Sequence, residues 1–329
     1  MGTLLCVSLR SQLAQRSSAA CFRLQVYHLA PNSAKHGPSH KLVLSCSLQG
    51  HDDIVASVQS RAAAGSAAPG QEADLTLATG SRDGSYVQSP LSSRDIIAQH
   101  FLSFVRSVKV WDANKPAAAQ GRFLGHYGPV NAVAWQPSTP GSNLLASAGD
   151  DGRVLLWDLR SQAGPAAVAP IRLTSDAAGN GSVVSERGSL RPSTGHGDVA
   201  LTSLAWITPT QLAAGAADGS VMLLDARNIN AVVTRVLSGV HKGGVHALLA
   251  GGLTADATDA GVTFFSGGDD GCVQRLEVGE DVSKGDTWPA PVQVAKYSEY
   301  VRALAPLPGS DNTVLVGSWD GKLRKLASA

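Results

Sequence analysis

Histidine and aspartate recur together along this chain, at His51 and Asp83, His126 and Asp151, and His196 and Asp218. Such pairs are the raw material of catalytic dyads and metal centres. Each pair, however, comes back with the same pattern around it, so the pairs must be read with the units that carry them. His241 and His246 lie close together with no third ligand nearby in sequence, which predicts no metal site. GSWDGK (317–322) holds a glycine and a lysine but lacks the spacing of a phosphate-binding loop. Neither a GxSxG elbow nor a CxxC pair occurs. The residue types therefore predict no enzyme, no cofactor and no metal.

The units that position these residues share one stretch, GDDGRVLLWDLR (149–160). Asp151-Gly152 is a turn signal, because glycine supplies the positive φ of a tight hairpin turn. The apolar run after it suits a strand buried on both faces. The unit returns as ADGSVMLLDAR (217–227), DDGCVQRLEV (269–278) and WDGKLRKLAS (319–328). In each copy a large residue falls at the same offset from the turn glycine: Trp157 after Gly152, Leu224 after Gly219, Leu276 after Gly271 and Leu326 after Gly321. A fixed offset in four copies is an internal repeat.

Further strands are predicted at 3–9, 22–29 and 41–48, and between the turns at 75–80, 108–112, 130–137, 201–206, 211–216, 245–250, 262–268, 301–306 and 314–318. Segments 60–72 and 161–195, rich in small residues and without periodicity, predict flexible loops. One copy is interrupted. Removing Tyr86 to Ser107 joins GSRDGS to VKVWD and puts Trp111 at the standard offset from Gly84. An insertion at 86–107 follows, either a natural turn extension or a segment retained through a splicing error.

The composition agrees with a folded domain. Of 329 residues, 43% are hydrophobic and 16% charged, and the 35 glycines suit many short strands joined by turns. A net charge of +1 gives no global field that favours nucleic acid. Cys6, Cys21, Cys46 and Cys272 read as reduced thiols of a cytoplasmic or nuclear protein. No apolar run is long enough to cross a bilayer. The first acid is Asp52, and the acid-free start has the composition of a transit peptide, but FRLQVYHL (22–29) within it reads better as a repeat strand.

Units with a Gly-His opening, an Asp-Gly turn and a closing Trp-Asp resemble the WD40-repeat family over residues 22–326. The resemblance implies an all-β propeller of four-stranded blades, with about five full units and a partial N-terminal blade, an incomplete seven-bladed ring. Residues 1–21 would be irregular or part of the first blade, and 22–329 the propeller. It also implies a structural hydrogen-bonded tetrad in each blade: His51, Thr79, Asp83 and Trp111 in the first, His126, Ser147, Asp151 and Trp157 in the second. The third unit has Ala214 and Leu224 in place of the hydroxyl and indole, the fourth keeps Ser266 and Asp270, and the fifth keeps Asp320. On this reading the histidines and aspartates are structural.

The order of HDDIVASV (51–58), VKVWD, RVLLWDLR, LTSLAW, DGSVMLLDARN and GSWDGKL is similar to that of methylosome WD40 subunits. That likeness implies a non-catalytic adaptor for a type II protein arginine methyltransferase, with histones and Sm proteins as substrates, and no nucleic-acid or membrane partner. WDLR (157–160) and LDAR (224–227) also resemble the paired boxes of cullin–RING ligase substrate receptors, in which Arg160 and Arg227 would dock an adaptor; otherwise both arginines simply end strands in solvent. Asp52, Asp53, Tyr127, Lys242, Tyr300 and Trp319 fall at loop positions expected on one rim, where they are candidate partner contacts. Asp52 and Asp53 are first candidates for attracting basic tails.

Overall fold

The computed structural model describes residues 6–12, 21–31, 40–51, 55–62, 75–86, 104–112, 121–137, 143–160, 167–170, 172–175, 181–184, 199–227, 232–250, 262–278, 290–307 and 313–327. Strands β1 (Cys6–Gln12), β2 (Cys21–Pro31) and β3 (His40–His51) form a three-stranded antiparallel sheet. The first full blade is β4 (Val55–Ala62), β5 (Leu75–Tyr86), β6 (Phe104–Asp112) and β7 (Gly121–His126). The second is β8 (Val130–Trp135), β9 (Leu144–Gly149), β10 (Arg153–Asp158) and β11 (Ala167–Pro170). A separate hairpin, β12 (Arg172–Ser175) and β13 (Gly181–Val184), follows. The third blade is β14 (Leu201–Trp206), β15 (Gln211–Ala216), β16 (Val221–Asp225) and β17 (Val232–Leu237). The fourth is β18 (Val245–Ala250), β19 (Val262–Gly268), β20 (Cys272–Val278) and β21 (Val292–Lys296). The fifth has three strands, β22 (Val301–Pro306), β23 (Thr313–Ser318) and β24 (Leu323–Ala327).

Sequence reading gave 161–195 as a loop, whereas β11, β12 and β13 fall inside it. These strands are only four residues long, too short to show a period. What makes β11 a strand is the waiting edge of β10, with Leu155 opposite Val168. Segment 60–72 falls partly in β4 and otherwise outside the described residues.

The blades stand side by side like those of a propeller. β4, β8, β14, β18 and β22, the first strand of each, pack against one another in succession. Hydrophobic cores lie between consecutive blades. Val130, Val133 and Trp135 of the second blade pack on Ala78, Val108 and Val110 of the first. Leu201, Leu204 and Trp206 pack on Ala132, Ala146 and Leu156. Val245 and Phe264 meet Val221 and Leu223 in the next core, and Val301, Val314 and Val316 meet Phe265 and Val273 in the last. Burial of the valine, leucine and phenylalanine side chains among them stabilises by about 1.5–3 kcal/mol each. Hydrogen bonds tie the same seams: the Trp206 indole donates to Ala134 O at 3.1 Å, and the Ser203 hydroxyl to Val245 O at 2.7 Å.

The second residue after each turn glycine shows what a neighbouring blade supplies. Val154, Val221 and Val273 are all fully buried, whereas Leu323 of the fifth blade is 71% exposed. No comparable packing of β22 against β4 closes the ring among the described residues.

In the first blade the insertion leaves the ladder intact. Leu77 pairs with Trp111 and Thr79 with Lys109, as Leu145 pairs with Trp157 and Ser147 with Leu155 in the second blade. Beyond a bulge between Gly80 and Gly84, the pairs Gly84–Arg106, Ser85–Val105 and Tyr86–Phe104 prolong the hairpin outward. Residues 87–103 lie outside the described residues. Deleting 86–107 should therefore shorten this hairpin, with Ser85 taking the place of Ser107 opposite Leu124 of β7. The expected result is an equal or higher melting temperature, since shortening the loop relieves about 1 kcal/mol of closure entropy. A clear drop in melting temperature would show that the segment packs on the blades.

Candidate functional site

Two edges of the propeller are distinguishable by their backbone bonds. On one, the turn before each third strand is tied to the loop before the first strand: Asp150 N donates to Pro129 O, Ala217 N to Ala200 O, Asp269 N to Gly244 O and Trp319 N to Tyr300 O. Tyr127, Lys242, Tyr300 and Trp319 all belong to these loops and share this edge. On the other edge the third strand ends beside the loop between the first two, with Leu159 N donating to Asn143 O and Ala226 N to Thr210 O. Arg160 and Arg227 are there. The sequence-predicted contact residues thus form two groups on opposite edges. Asp52 and Asp53 lie outside the described residues.

The second blade contains a hydrogen-bonded chain of four side chains. His126 Nδ1 is 3.0 Å from both Asp151 carboxylate oxygens, and Nε2 is 2.7 Å from Ser147 Oγ. The Trp157 indole donates to the same Ser147 Oγ at 2.8 Å. An ionised carboxylate only accepts, so Nδ1 carries the proton and Nε2 accepts from the serine. His126, Ser147 and Trp157 are completely buried, and the Ser147 hydroxyl both donates to His126 and accepts from Trp157. A nucleophile needs room for a substrate, and this serine has none. Burial pushes the Asp151 carboxyl up, but the contact and hydrogen bond with the His126 imidazole, the Tyr127 N–H and Arg153 outweigh it and hold it below the ordinary value of 3.8.

A second network, incomplete in the sequence reading, occupies the fourth blade. His241 Nδ1 meets Asp270 at 2.9 Å and Nε2 meets Ser266 Oγ at 2.8 Å, with Leu276 standing where the indole would be. Burial again pushes Asp270 up, while the N–H groups of Cys272 and Lys242 and the His241 bond bring it below the ordinary range. In the fifth blade, Arg324 replaces the histidine: it pairs with Asp320, hydrogen-bonds Ser318 Oγ at 2.7 Å and stacks on Tyr297 at 4.9 Å. In the first blade, Thr79 is buried and its hydroxyl donates to Lys109 O at 3.3 Å. The side chains of His51, Asp83 and Trp111 lie outside the described residues, as does His196 of the third blade.

The depressed carboxyls give these networks a pH signature. A carboxyl whose pKa is lower folded than unfolded adds stability that is complete above the unfolded value and fades as pH falls through the folded one. Stability should hold near neutrality and decline below about pH 4. Thermal melts across that range check it. The Asp151→Asn variant should melt lower at neutral pH and show a shallower acid decline; an unchanged acid profile would remove Asp151 from the account.

The inner strands carry a second row of side chains. Each begins with a buried residue followed by a β-bulge: the register shifts between Val55 and Ser57, Val130 and Ala132, Leu201 and Ser203, Val245 and Ala247, and Val301 and Ala303. The bulged residues are Ala56, Asn131, Thr202, His246 and Arg302, and a bulge re-aims its side chain. They line the mouth of a central channel of about 630 Å³ together with Ser57, Gln59 and Asp150. Asn131 Nδ2 donates to Asp150 at 2.5 Å, and His246 Nε2 meets Asp269 at 2.7 Å. His246 thus has an aspartate rather than His241 as its partner. Among the described residues no cluster of side chains is suited to hold a metal ion.

Of the remaining candidates, Trp319 is 65% and Tyr300 46% exposed. Tyr127 is half-buried, its ring covered by the Arg153 guanidinium at 4.7 Å. Lys242 is exposed and its backbone N–H donates to Asp270 at 3.1 Å. On the opposite edge, Arg160 Nη2 binds Asp158 at 2.6 Å and Arg227 Nη2 binds Asp225 at 2.5 Å, each also with Nε within 3.1 Å of its own aspartate. The two forks are near copies, and both guanidinia are largely exposed.

Residues 119–158 match the WD40 family model (WD domain, G-beta repeat). The chain is 25% identical to the protein transport protein SEC13-2 of Candida glabrata over 54% of each chain. It is 47% identical to the small ribosomal subunit protein RACK1y of Oryza sativa subsp. japonica over 17% of this chain and 16% of that one. The chain thus spans about half or less of the length of these relatives. Among solved structures, the β-propeller domain of Myceliophteria thermophila Cps50 (Swd1) superposes with a TM-score of 0.45 at 17% identity, covering 76% of this chain and 61% of that one. The matched repeat runs from β7, the outer strand of the first blade, through β10 of the second, so one sequence unit bridges two sheets. Residues 119–158 are a WD40 repeat, and the blades that repeat its turn and ladder build an all-β propeller.

Proposed function

We propose that this chain is a non-enzymatic protein-interaction scaffold, and that it serves as a methylosome-type adaptor that binds a type II protein arginine methyltransferase and presents protein substrates such as histones and Sm proteins. The observation that carries the scaffold reading is the division of labour among its polar side chains. His126, Asp151, Ser147 and Trp157 are consumed by one another inside a blade, whereas Tyr300, Trp319 and Lys242 stand exposed on a single edge. A preformed rigid edge binds partners without a large ordering cost. The adaptor reading rests on the ordered set of stretches from His51 to Leu323, and on Asp52 and Asp53 as an acidic lure for basic tails whose effect salt would weaken. It places the protein in the cytoplasm, the nucleus or both.

The test is reconstitution of the methyltransferase with and without this chain, followed by gel filtration and methylation of a histone tail. Co-elution and a change in methylation rate are expected. Absence of both removes the adaptor role and leaves the scaffold. The Arg160→Ala, Arg227→Ala double variant separates the ligase reading: loss of a cullin adaptor from purified complexes, with the melting temperature unchanged, would favour it. Both guanidinia must leave Asp158 and Asp225 to dock, and that exchange weighs against it.

A further inference from the structure

From the second blade on, each bulge residue at the channel mouth shares its blade with a residue two places before the turn glycine: Asn131 with Asp150, Thr202 with Ala217, His246 with Asp269 and Arg302 with Trp319. These four positions are equivalent in three dimensions, because each N–H donates to the carbonyl of the residue just before its inner strand. In the second and fourth blades the pair is a donor and a carboxylate, Asn131 with Asp150 and His246 with Asp269. In the third, Ala217 offers no acceptor and Thr202 turns instead to Val245 O at 2.5 Å. In the fifth the donor is the strongest of the row, a guanidinium, but the carboxylate is replaced by an indole. Arg302 stacks over Trp319 at 5.2 Å and, among the described residues, has no acid within ion-pair distance.

From this we infer that Arg302, Trp319 and Tyr300 form a subsite for an acidic side chain of a partner peptide, an aspartate or glutamate flanked by a large apolar residue. The ligand's carboxylate takes the place that Asp150 and Asp269 hold in the other blades. Three features fit that occupant. A guanidinium accepts a planar carboxylate through two parallel N–H bonds, and stacking on the indole fixes its plane beforehand. Trp319 and Tyr300, whose backbones are joined by the Trp319 N–H to Tyr300 O bond of 2.9 Å, leave exposed aromatic surface for the flanking residue. Of the neighbouring acids, Asp269 is engaged by His246 and the Gly244 N–H and Asp320 by Arg324. The Arg302 charge reaches His246, where after burial it is the next cause holding the imidazole below its ordinary pKa. Exposed tryptophan, tyrosine and arginine together are the residue types that dominate binding energy at protein interfaces. The subsite does not depend on which partner the scaffold serves.

Arrayed peptide pools with a fixed central residue (Glu, Asp, Gln, Lys or phosphoserine) and degenerate flanks test it on the whole chain. Enrichment of the Glu and Asp pools over the isosteric Gln pool, with aromatic or aliphatic residues selected beside the centre, is expected. Arg302→Ala should erase about tenfold or more of that preference. Trp319→Asp is the sharper variant. It restores the carboxylate of the other blades, so Arg302 should pair internally, the acidic preference should vanish and the melting temperature should hold or rise. Equal capture of Glu and Gln pools, or a preference that survives Arg302→Ala or Trp319→Asp, overturns the assignment. Stronger capture of phosphoserine than of Glu overturns the carboxylate and leaves a phosphoryl site.

Discussion

Replacing Trp157 by alanine should lower stability by about 3–5 kcal/mol, the cost of emptying a large buried aromatic site. Its side chain is completely buried, its ring packs at 5.5 Å on Phe123, and its N–H donates to Ser147. The fourth blade shows what part of this belongs to the hydrogen bond. There Leu276 fills the equivalent place, and His241, Ser266 and Asp270 stay linked without an indole. Trp157→Leu should therefore cost less than Trp157→Ala, and Trp157→Phe only about 1–2 kcal/mol for the lost donor. Urea denaturation of the three variants gives the order. If alanine and phenylalanine cost the same, the bond rather than the volume governs the site.

A second large effect is expected at Gly219. Its φ is +88°, and a Cβ there would lie 2.1 Å from His241 O, a backbone atom of the neighbouring blade's loop. Gly219→Ala adds about 1–2 kcal/mol of left-handed backbone cost to that collision. It also forces the loop away and breaks the His241 N–H bond to Gly219 O at 3.1 Å. A total of about 3 kcal/mol or more follows. Gly321 is the control: it has the same turn conformation at +73° with nothing within 4 Å of its Cβ position. Gly321→Ala should show the backbone cost alone. Equal losses at the two sites would mean that the seam between the third and fourth blades is no tighter than the open end.

Most of the blade plan was legible because turn glycines are frequent and exact in offset. Gly152, Gly219, Gly271 and Gly321 all have positive φ, as their Asp-Gly, Asp-Gly-like spacing required. The offset of Trp111, counted without 86–107, agrees with its place opposite Leu77 in the ladder. The fourth network was only half visible. Ser266 and Asp270 sit close to the turn, but His241 reaches them from before β18, at a separation in sequence lengthened by residues 251–261. Arg324 in the histidine's role left no signal, since it approaches Asp320 from the strand after the turn. The row of bulge residues escaped too. Aligned on the turn glycine, Asp150, Asp269 and Trp319 share one column, but the bulges that aim Asn131, His246 and Arg302 at that column exist only once strands pair. Of the short strands in 167–184, β11 needed the edge of β10 before it could be recognised.

Val273 is sealed under its neighbour whereas Leu323 is exposed, so among the described residues the fifth blade has an inter-blade core on one side only. Each blade is held by the one beside it, so the energy of the described array is close to a sum of nearest-neighbour couplings, with fewer of them at the fifth blade. Backbone amides should then exchange with solvent along a gradient. Protection should be deepest in β14, β15 and β16, which have a core on both sides, and shallowest in β22, β23 and β24. A perturbation at the last blade would stay there, while one at the third would be felt in both directions. The protein would thus present its most exposed aromatic residues on the part of its frame that opens most readily.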